Sequence, residues 1–339
     1  MRPPSGRIAV NLELLLVTQY ERERDLDGIG DELRRQVALA REGGLDGVGV
    51  SEHHVTTDKY LLNEPIIGHL TDAVGDMRLT MALCLLPYHH PVRIAEFGAT
   101  VDVLTGGQFR LGVGLGYRDA EYDAFGIDQA DGPGRLVEGL EVIERLWTEE
   151  SVSYDGDHFD LADVTLWPKP VQNPRPPIWV GASNEASVRR GARIADGFLG
   201  AHVPFDLAQR QIADFRDERR ETNRGAGEVG LLREVYVAET TAAAEAIVKE
   251  PLMRKYRSYT EWGQDDAIGG DTFDSEWERL SDERFLVGSP DDVIADLERY
   301  DEAMDLDSLF FRTQYPGIDL DDVRSSIELF ADEVAPHFE

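Results

Sequence analysis

Gly47-Val48-Gly49-Val50-Ser51-Glu52-His53-His54 is an apolar run that gives way abruptly to one carboxylate and two imidazoles. Short apolar runs bounded by polar or turn residues read as buried strands. The segment is therefore expected to be a strand over 47–51 with its ionisable groups at the strand's end. Outward from it the pattern repeats. A run over 78–85 leads into Pro87-Tyr88-His89-His90-Pro91, and a run over 109–113 leads into Gly114-Leu115-Gly116-Tyr117. Five further runs, 7–15, 177–180, 197–200, 231–238 and 308–312, bring the strand candidates to eight. Three of these also end in small or polar residues: Gly181-Ala182-Ser183-Asn184, then His202, then Arg312-Thr313-Gln314-Tyr315.

A helical stretch follows each strand: 30–42, 64–74, 91–104, 135–148, 184–194, 206–222, 290–304 and 320–334. Strand–helix alternation marks a parallel sheet built from βα units. Eight of each predicts a closed α/β barrel, a (β/α)8 TIM barrel, as a single domain over 1–339. Pro91 and Pro290 open their helices where a missing N–H costs nothing, Ser289 is placed to cap the second, and Asp291 and Asp292 suit its first turn. Gly43-Gly44 and Gly106-Gly107 end two others as left-handed caps do. Two insertions exceed a minimal barrel. One, 149–176, carries a hairpin signal (152–154, turn Asp155-Gly156, 158–161) and then a proline-rich connector. The other, 242–286, holds Trp262, Gly263, Gly269-Gly270 and Trp277, and long insertions on barrels are usually lids or binding loops.

With 66 acidic against 34 basic residues, only four of them lysine, the formal charge is −32. Such a field argues against nucleic acid or an anionic membrane as partner. The acids are spread along the chain as a solvated surface, a distribution that a high-salt cytoplasm would also favour. No run approaches the roughly 18 apolar residues of a membrane span, and residues 1–6 lack an apolar signal core, so the expected location is the cytoplasm. Cys84, the sole cysteine, excludes an intrachain disulfide and lies in an apolar run where an inert buried thiol is expected.

In such barrels catalytic groups come from the C-terminal ends of the strands. Adjacent residues of an extended chain point to opposite sides, so of His53 and His54 one can face the barrel mouth while the other packs against helices. An imidazole can give or take a proton near neutrality, which makes Glu52, His53 and His54 the catalytic candidates. Neighbouring histidines cannot easily chelate one ion, so no metal is expected. Gly114 and Gly116, with Tyr117, miss a dinucleotide fingerprint because no helix starts at once. They permit close approach of a flat ligand or simply a tight turn. Gly181-Ala182-Ser183 leads into a helix whose free N–H groups suit an anion; the alternative reading makes Ser183 or Asn184 only the helix cap.

Several segments together resemble the bacterial luciferase-like flavin monooxygenases. They are 46–54, 86–96, 104–117 with Glu121-Tyr122 and Phe125-Gly126, 168–172, 176–181 and Val287-Gly288-Ser289-Pro290. The similarity runs in order through nearly the whole chain. It implies a (β/α)8 barrel holding reduced FMN across the strand ends, with His53 at the family's active-site histidine position and Glu52 and His54 beside it. It further implies a non-proline cis peptide at Ala82-Leu83 against the flavin ring, and a flavin phosphate at Ala182, Ser183 and Ala186.

Two departures stand out. The phosphate-binding arginine of luciferases falls at Leu115, leaving nearby Arg118 as a substitute, and the reactive cysteine of luciferases falls at Gly114, so light emission is not expected. The resemblance implies an FMNH2-dependent monooxygenase fed by a separate flavin reductase, acting on a small organic substrate with the 242–286 insertion as lid, and a homodimer. A branch of the same family uses the deazaflavin coenzyme F-420 for hydride transfer. The glutamate that some of its members carry after strand four is also replaced by Leu115, which favours FMN. A third alternative is a flavin-binding protein without catalysis. Tyr20, Tyr88, Tyr117, Trp262 and Tyr315 are candidates for an apolar mouth.

Overall fold

The computed structural model describes residues 10–263 and 277–338. Eight parallel strands form a closed sheet: β1 (Asn11–Leu16), β2 (Gly47–Val50), β3 (Arg78–Leu85), β4 (Phe109–Gly114), β5 (Ile178–Gly181), β6 (Gly197–Gly200), β7 (Glu228–Val237) and β8 (Ser308–Arg312). Each pairs with its sequence neighbour. Ser308 of β8 pairs back onto Asn11 of β1, and Gly197 of β6 meets Glu228 of β7, which completes the ring. The expected (β/α)8 barrel is therefore present.

The barrel helices are α1 (Ile29–Glu42), α2 (Asn63–Leu70), α3 (Pro91–Leu104), α4 (Gly132–Thr148), α5 (Glu185–Ile194), α6 (Phe205–Glu221), α7 (Pro290–Met304) and α8 (Leu320–Leu329). Local chemistry sets their ends. Ser289 accepts a hydrogen bond from Asp292 N while the Asp292 carboxylate accepts one from Ser289 N, a reciprocal cap with Pro290 in the first turn. Gly44, Gly106 and Gly107 take positive φ after α1 and α3.

Strands buried on both faces are apolar almost throughout. Their outer faces and the helices share one large core, in which Cys84 is fully buried. Inside the ring, Leu15, Ala82, Trp179, Leu199 and Phe310 pack together. Beneath them the Arg110 guanidinium donates to Glu13, both side chains almost wholly buried, and lies 4.0 Å from the Trp179 ring. The N-terminal side of the barrel is thus filled, and open space begins only at the C-terminal rim.

The first insertion forms the expected hairpin, Val152–Asp155 against Asp160–Val164. The second holds a long helix, Thr241–Glu261, a short one, Trp277–Arg284, and a strand, Phe285–Gly288, parallel to the far half of β7. That strand was not anticipated, and β7 starts three residues before its expected position because Glu228, Val229 and Gly230 pair with β6. Strand one is described only from Asn11, and Gly269-Gly270 lie outside the described residues.

Candidate active site

A cavity of about 840 Å³ opens at the C-terminal rim of the barrel, within the range of small-molecule sites. Its wall takes residues from the ends of β1 to β8: Val17, Glu52 and His53, Leu83, Gly114 to Arg118, Gly181 to Asn184, His202, Leu232 and Arg312. His53 and Ser183, 130 positions apart in the chain, share this wall.

His53 sits between two kinds of neighbour. Its Nδ1 lies 3.4 Å from Glu121 Oε1. Its ring meets Tyr60 edge-on at 5.4 Å and Trp262 at 5.6 Å, with Tyr117 and Tyr259 just beyond 6 Å. Glu121 is fully buried; burial alone would raise its pKa. The His53 side chain, the backbone N–H of His54 at 2.9 Å and the Arg118 guanidinium at 3.0 Å outweigh burial and hold it below the usual carboxylate range. Glu121 lies on a short helix, Asp119–Phe125, that follows β4. In the sequence it stands only within the Glu121-Tyr122 part of the family pattern, with no role attached.

Glu52 is also buried and accepts three side-chain hydrogen bonds: from His54 Nε2, from His89 Nε2 at 3.0 Å, and from Asn63 Nδ2 at 2.6 Å. Burial pushes its pKa up, but the two imidazoles win and bring it down to about 2. His54 does not reach the cavity wall. It packs against Phe125 and Tyr88 and is held by Glu52, as expected for one of two adjacent imidazoles on an extended segment. The three donor atoms of Glu52, His54 and His89 lie within 4.8 Å of one another, a spacing that could also hold a divalent ion. From the sequence only His53 with His54 are weighed as ligands. His89 arrives from the end of β3, and chain order does not show that it meets Glu52. The hydrogen bonds already satisfy both carboxylate oxygens without an ion.

The peptide bond Ala82–Leu83 is cis, and the β3–β4 register shifts across it. Leu83 faces Gly181 and Gly114 across the rim. A Cβ on Gly181 would stand 2.1 Å from Leu83 Cδ1, and one on Gly114 would stand 3.3 Å away. Gly116 has φ +76°, and its missing Cβ would stand 2.5 Å from the Tyr88 hydroxyl. The absent side chains let Leu83 and Tyr88 pack directly on glycine backbone, so this part of the wall carries no projecting side chain of β5.

Next along the wall lies the start of α5. Asn184 caps it, accepting from Ser187 N at 3.0 Å, and the Ser187 hydroxyl donates back to Asn184 O. Capping is therefore the task of Asn184, and the Ser183 hydroxyl is left facing the cavity. Ala186 is on the exposed face of α5 and outside the wall. Arg118, expected as a phosphate ligand, is engaged elsewhere: it donates to His54 O at 2.6 Å and to Glu121, and stacks 4.6 Å from Trp262. Arg190, one helical turn into α5, lines the cavity and has no ion pair among the described residues, whereas its neighbour Arg189 pairs outward with Glu185, Asp214 and Glu218.

Of the aromatic candidates, Tyr117 and Trp262 line the cavity; Tyr20, Tyr88 and Tyr315 are buried outside its wall. Tyr60 and Tyr259 take their places. Tyr259, Glu261, Trp262 and Gly263 bring the end of the 241–261 helix over the mouth.

A family model described as luciferase-like monooxygenase matches residues 12–306. The chain belongs to the luciferase-like monooxygenase family. It is 30% identical over 335 residues to a 4-hydroxyprotoasukamycin monooxygenase of Streptomyces nodosus subsp. asukaensis, covering 91% of this chain and 88% of that one. It is 26% identical over 340 residues to the oxygenase component of a flavin-dependent trigonelline monooxygenase of Acinetobacter baylyi, covering 91% and 89%. A solved monooxygenase from Streptomyces bottropensis superposes with a TM-score of 0.85 at 23% identity, covering 97% and 100%, and shares the fold. This luciferase-like protein is accordingly an oxidoreductase whose relatives are flavin-dependent monooxygenases.

Proposed function

We propose that the protein is the oxygenase component of a two-component system, taking FMNH2 from a separate reductase and placing one atom of O2 into a small organic substrate. The observation that carries this reading is the convergence of His53 and its Glu121 partner, the Leu83–Gly181 contact and the start of α5 on one cavity. The bound reduced flavin would supply the oxygen-activating chemistry. The rest falls to the chain itself.

Three groups would hold the flavin phosphate: the first N–H groups of α5, the Ser183 hydroxyl and the Arg190 guanidinium. Leu83, Gly114 and Gly181 offer the flat surface that a tricyclic ring requires. Glu121 engages His53 at Nδ1, so Nε2 is the ring nitrogen left to hold or pass a proton. Tyr60, Tyr117, Tyr259 and Trp262 surround that imidazole and exclude water. Supplying FMNH2 from an unrelated flavin reductase under ¹⁸O₂, with a panel of organic substrates, tests the proposal. One labelled oxygen atom should enter product per turnover; oxidation of substrate without label would refute oxygenation.

A further inference from the structure

The end of β8 places a buried cation in the cavity wall, in a chain whose net charge is −32. Arg312, at the end of β8, is 1% exposed and lines the cavity. Its Nε donates to Gln314 O at 2.9 Å, Nη1 to Tyr259 Oη at 3.1 Å, and Nη2 reaches Gln19 Oε1 only at 3.5 Å. A guanidinium has five N–H donors, so at least two are left. No carboxylate pairs with Arg312 among the described residues.

Behind Arg312 stand Arg233, Lys255 and Arg284, all buried. Lys255 contacts Glu234, and Arg284 lies 3.7 Å from Glu283; Arg233 has no ion pair among the described residues, and its Nε and Nη2 find no hydrogen-bond acceptor. His202, in the cavity wall, has its pKa pushed well below the ordinary histidine value by burial first and then by Lys255, Arg312, Arg233 and Arg284. Its ring, with Nδ1 3.4 Å from the buried Glu234 carboxylate, thus adds a neutral donor or acceptor to the wall that holds Arg312.

A buried cation without a counter-ion is costly, and a ligand that brings the missing charge recovers the cost. The flavin phosphate is not that ligand. Its expected seat is at α5 after β5, and β6 and β7 stand between β5 and β8 in the closed sheet. We infer that the organic substrate carries a carboxylate, which seats on the free N–H groups of Arg312 beside His202. Its body then lies against Tyr259 and Trp262, whose ring centroids are 5.5 Å apart. The inference rests on the reading of this cavity as the site of oxygenation.

The test is equilibrium binding to the intact protein by calorimetry at fixed ionic strength, with and without oxidised FMN. The probes are matched acid–amide pairs: benzoate and benzamide, nicotinate and nicotinamide, hexanoate and hexanamide. At least one acid should bind roughly tenfold or more tighter than its amide, as a charged hydrogen-bonded pair requires. Arg312→Gln should abolish that preference and leave amide affinity alone, and Arg312→Lys should keep part of it. The wild-type comparison decides even if the buried arginine cannot be replaced without unfolding. Equal affinities in every pair, or no binding of any probe, overturn the inference. So does a preference that survives Arg312→Gln, or an Arg312→Gln variant that loses FMN affinity and keeps the preference. The arm without flavin stands whether or not the flavin reading does.

Discussion

An imidazole held 3.4 Å from a buried carboxylate and edge-on to Tyr60 is fixed in orientation, so removing it subtracts a proton carrier from an otherwise standing wall. His53→Ala should lower turnover by about 10²–10⁴-fold, the usual worth of a positioned acid or base, with flavin affinity retained. Unchanged turnover with flavin still bound would contradict the role. Glu52 makes a different kind of prediction. Its folded pKa of about 2 lies below the ordinary 4.5, so its contribution to stability is present above about pH 4.5 and is lost as pH falls towards 2. The amount is on the order of 3 kcal/mol. Glu52→Gln should therefore be less stable than wild type at neutral pH and flatter in its stability between pH 4.5 and 2; parallel acid curves would contradict the network. Arg190→Ala should weaken FMN about tenfold or more while sparing riboflavin, which lacks the phosphate; equal losses for both would remove Arg190 from that role. Glu52, His53 and Ser183 were legible because strand ends announce the rim. Arg190 was not, since Arg189 and Arg190 are chemically identical neighbours and only the rotation of α5 decides which one faces the cavity.

At the scale of elements, β6 and β8 fall where the sequence places them, 197–200 and 308–312, because each is a short apolar run flanked by polar residues. The strand Phe285–Gly288 escaped for the opposite reason: four apolar or small residues inside an insertion carry no period, and only pairing with the far half of β7 makes them a strand. His89 and Glu121 were missed as partners because each comes from a loop or helix after a different strand, and chain order says nothing about which side chains meet there. The packing of Leu83 of β3 on Gly181 of β5 depends on the missing Cβ, and Gly181→Ala tests the surface it makes. The new Cβ must displace the Leu83 side chain, at about 1–3 kcal/mol of stability. Flavin affinity should fall more than the phosphate variant's riboflavin affinity does. A Gly181→Ala protein that binds riboflavin as wild type does would show that this surface is not the ring's seat.

For the whole molecule, self-repulsion among 66 acidic and 34 basic residues opposes compaction. The Debye length shrinks from about 30 Å at 0.01 M salt to about 3 Å at 1 M. The melting temperature should rise over that range, and a flat response would show that the surface charge is locally compensated. Closure of the barrel gives the chemistry its geometry: the eight strand ends deliver His53, Leu83, Gly181, Ser183 and Arg312 to one cavity. The same rim could in principle receive either flavin or its deaza analogue, so the decisive measurement is an anaerobic titration of the purified protein with FMNH2 and, separately, with reduced coenzyme F-420. FMNH2 should bind at one per chain and be oxidised when O2 and substrate are admitted. Binding and substrate-dependent oxidation of reduced F-420, with none of FMNH2, would contradict the account.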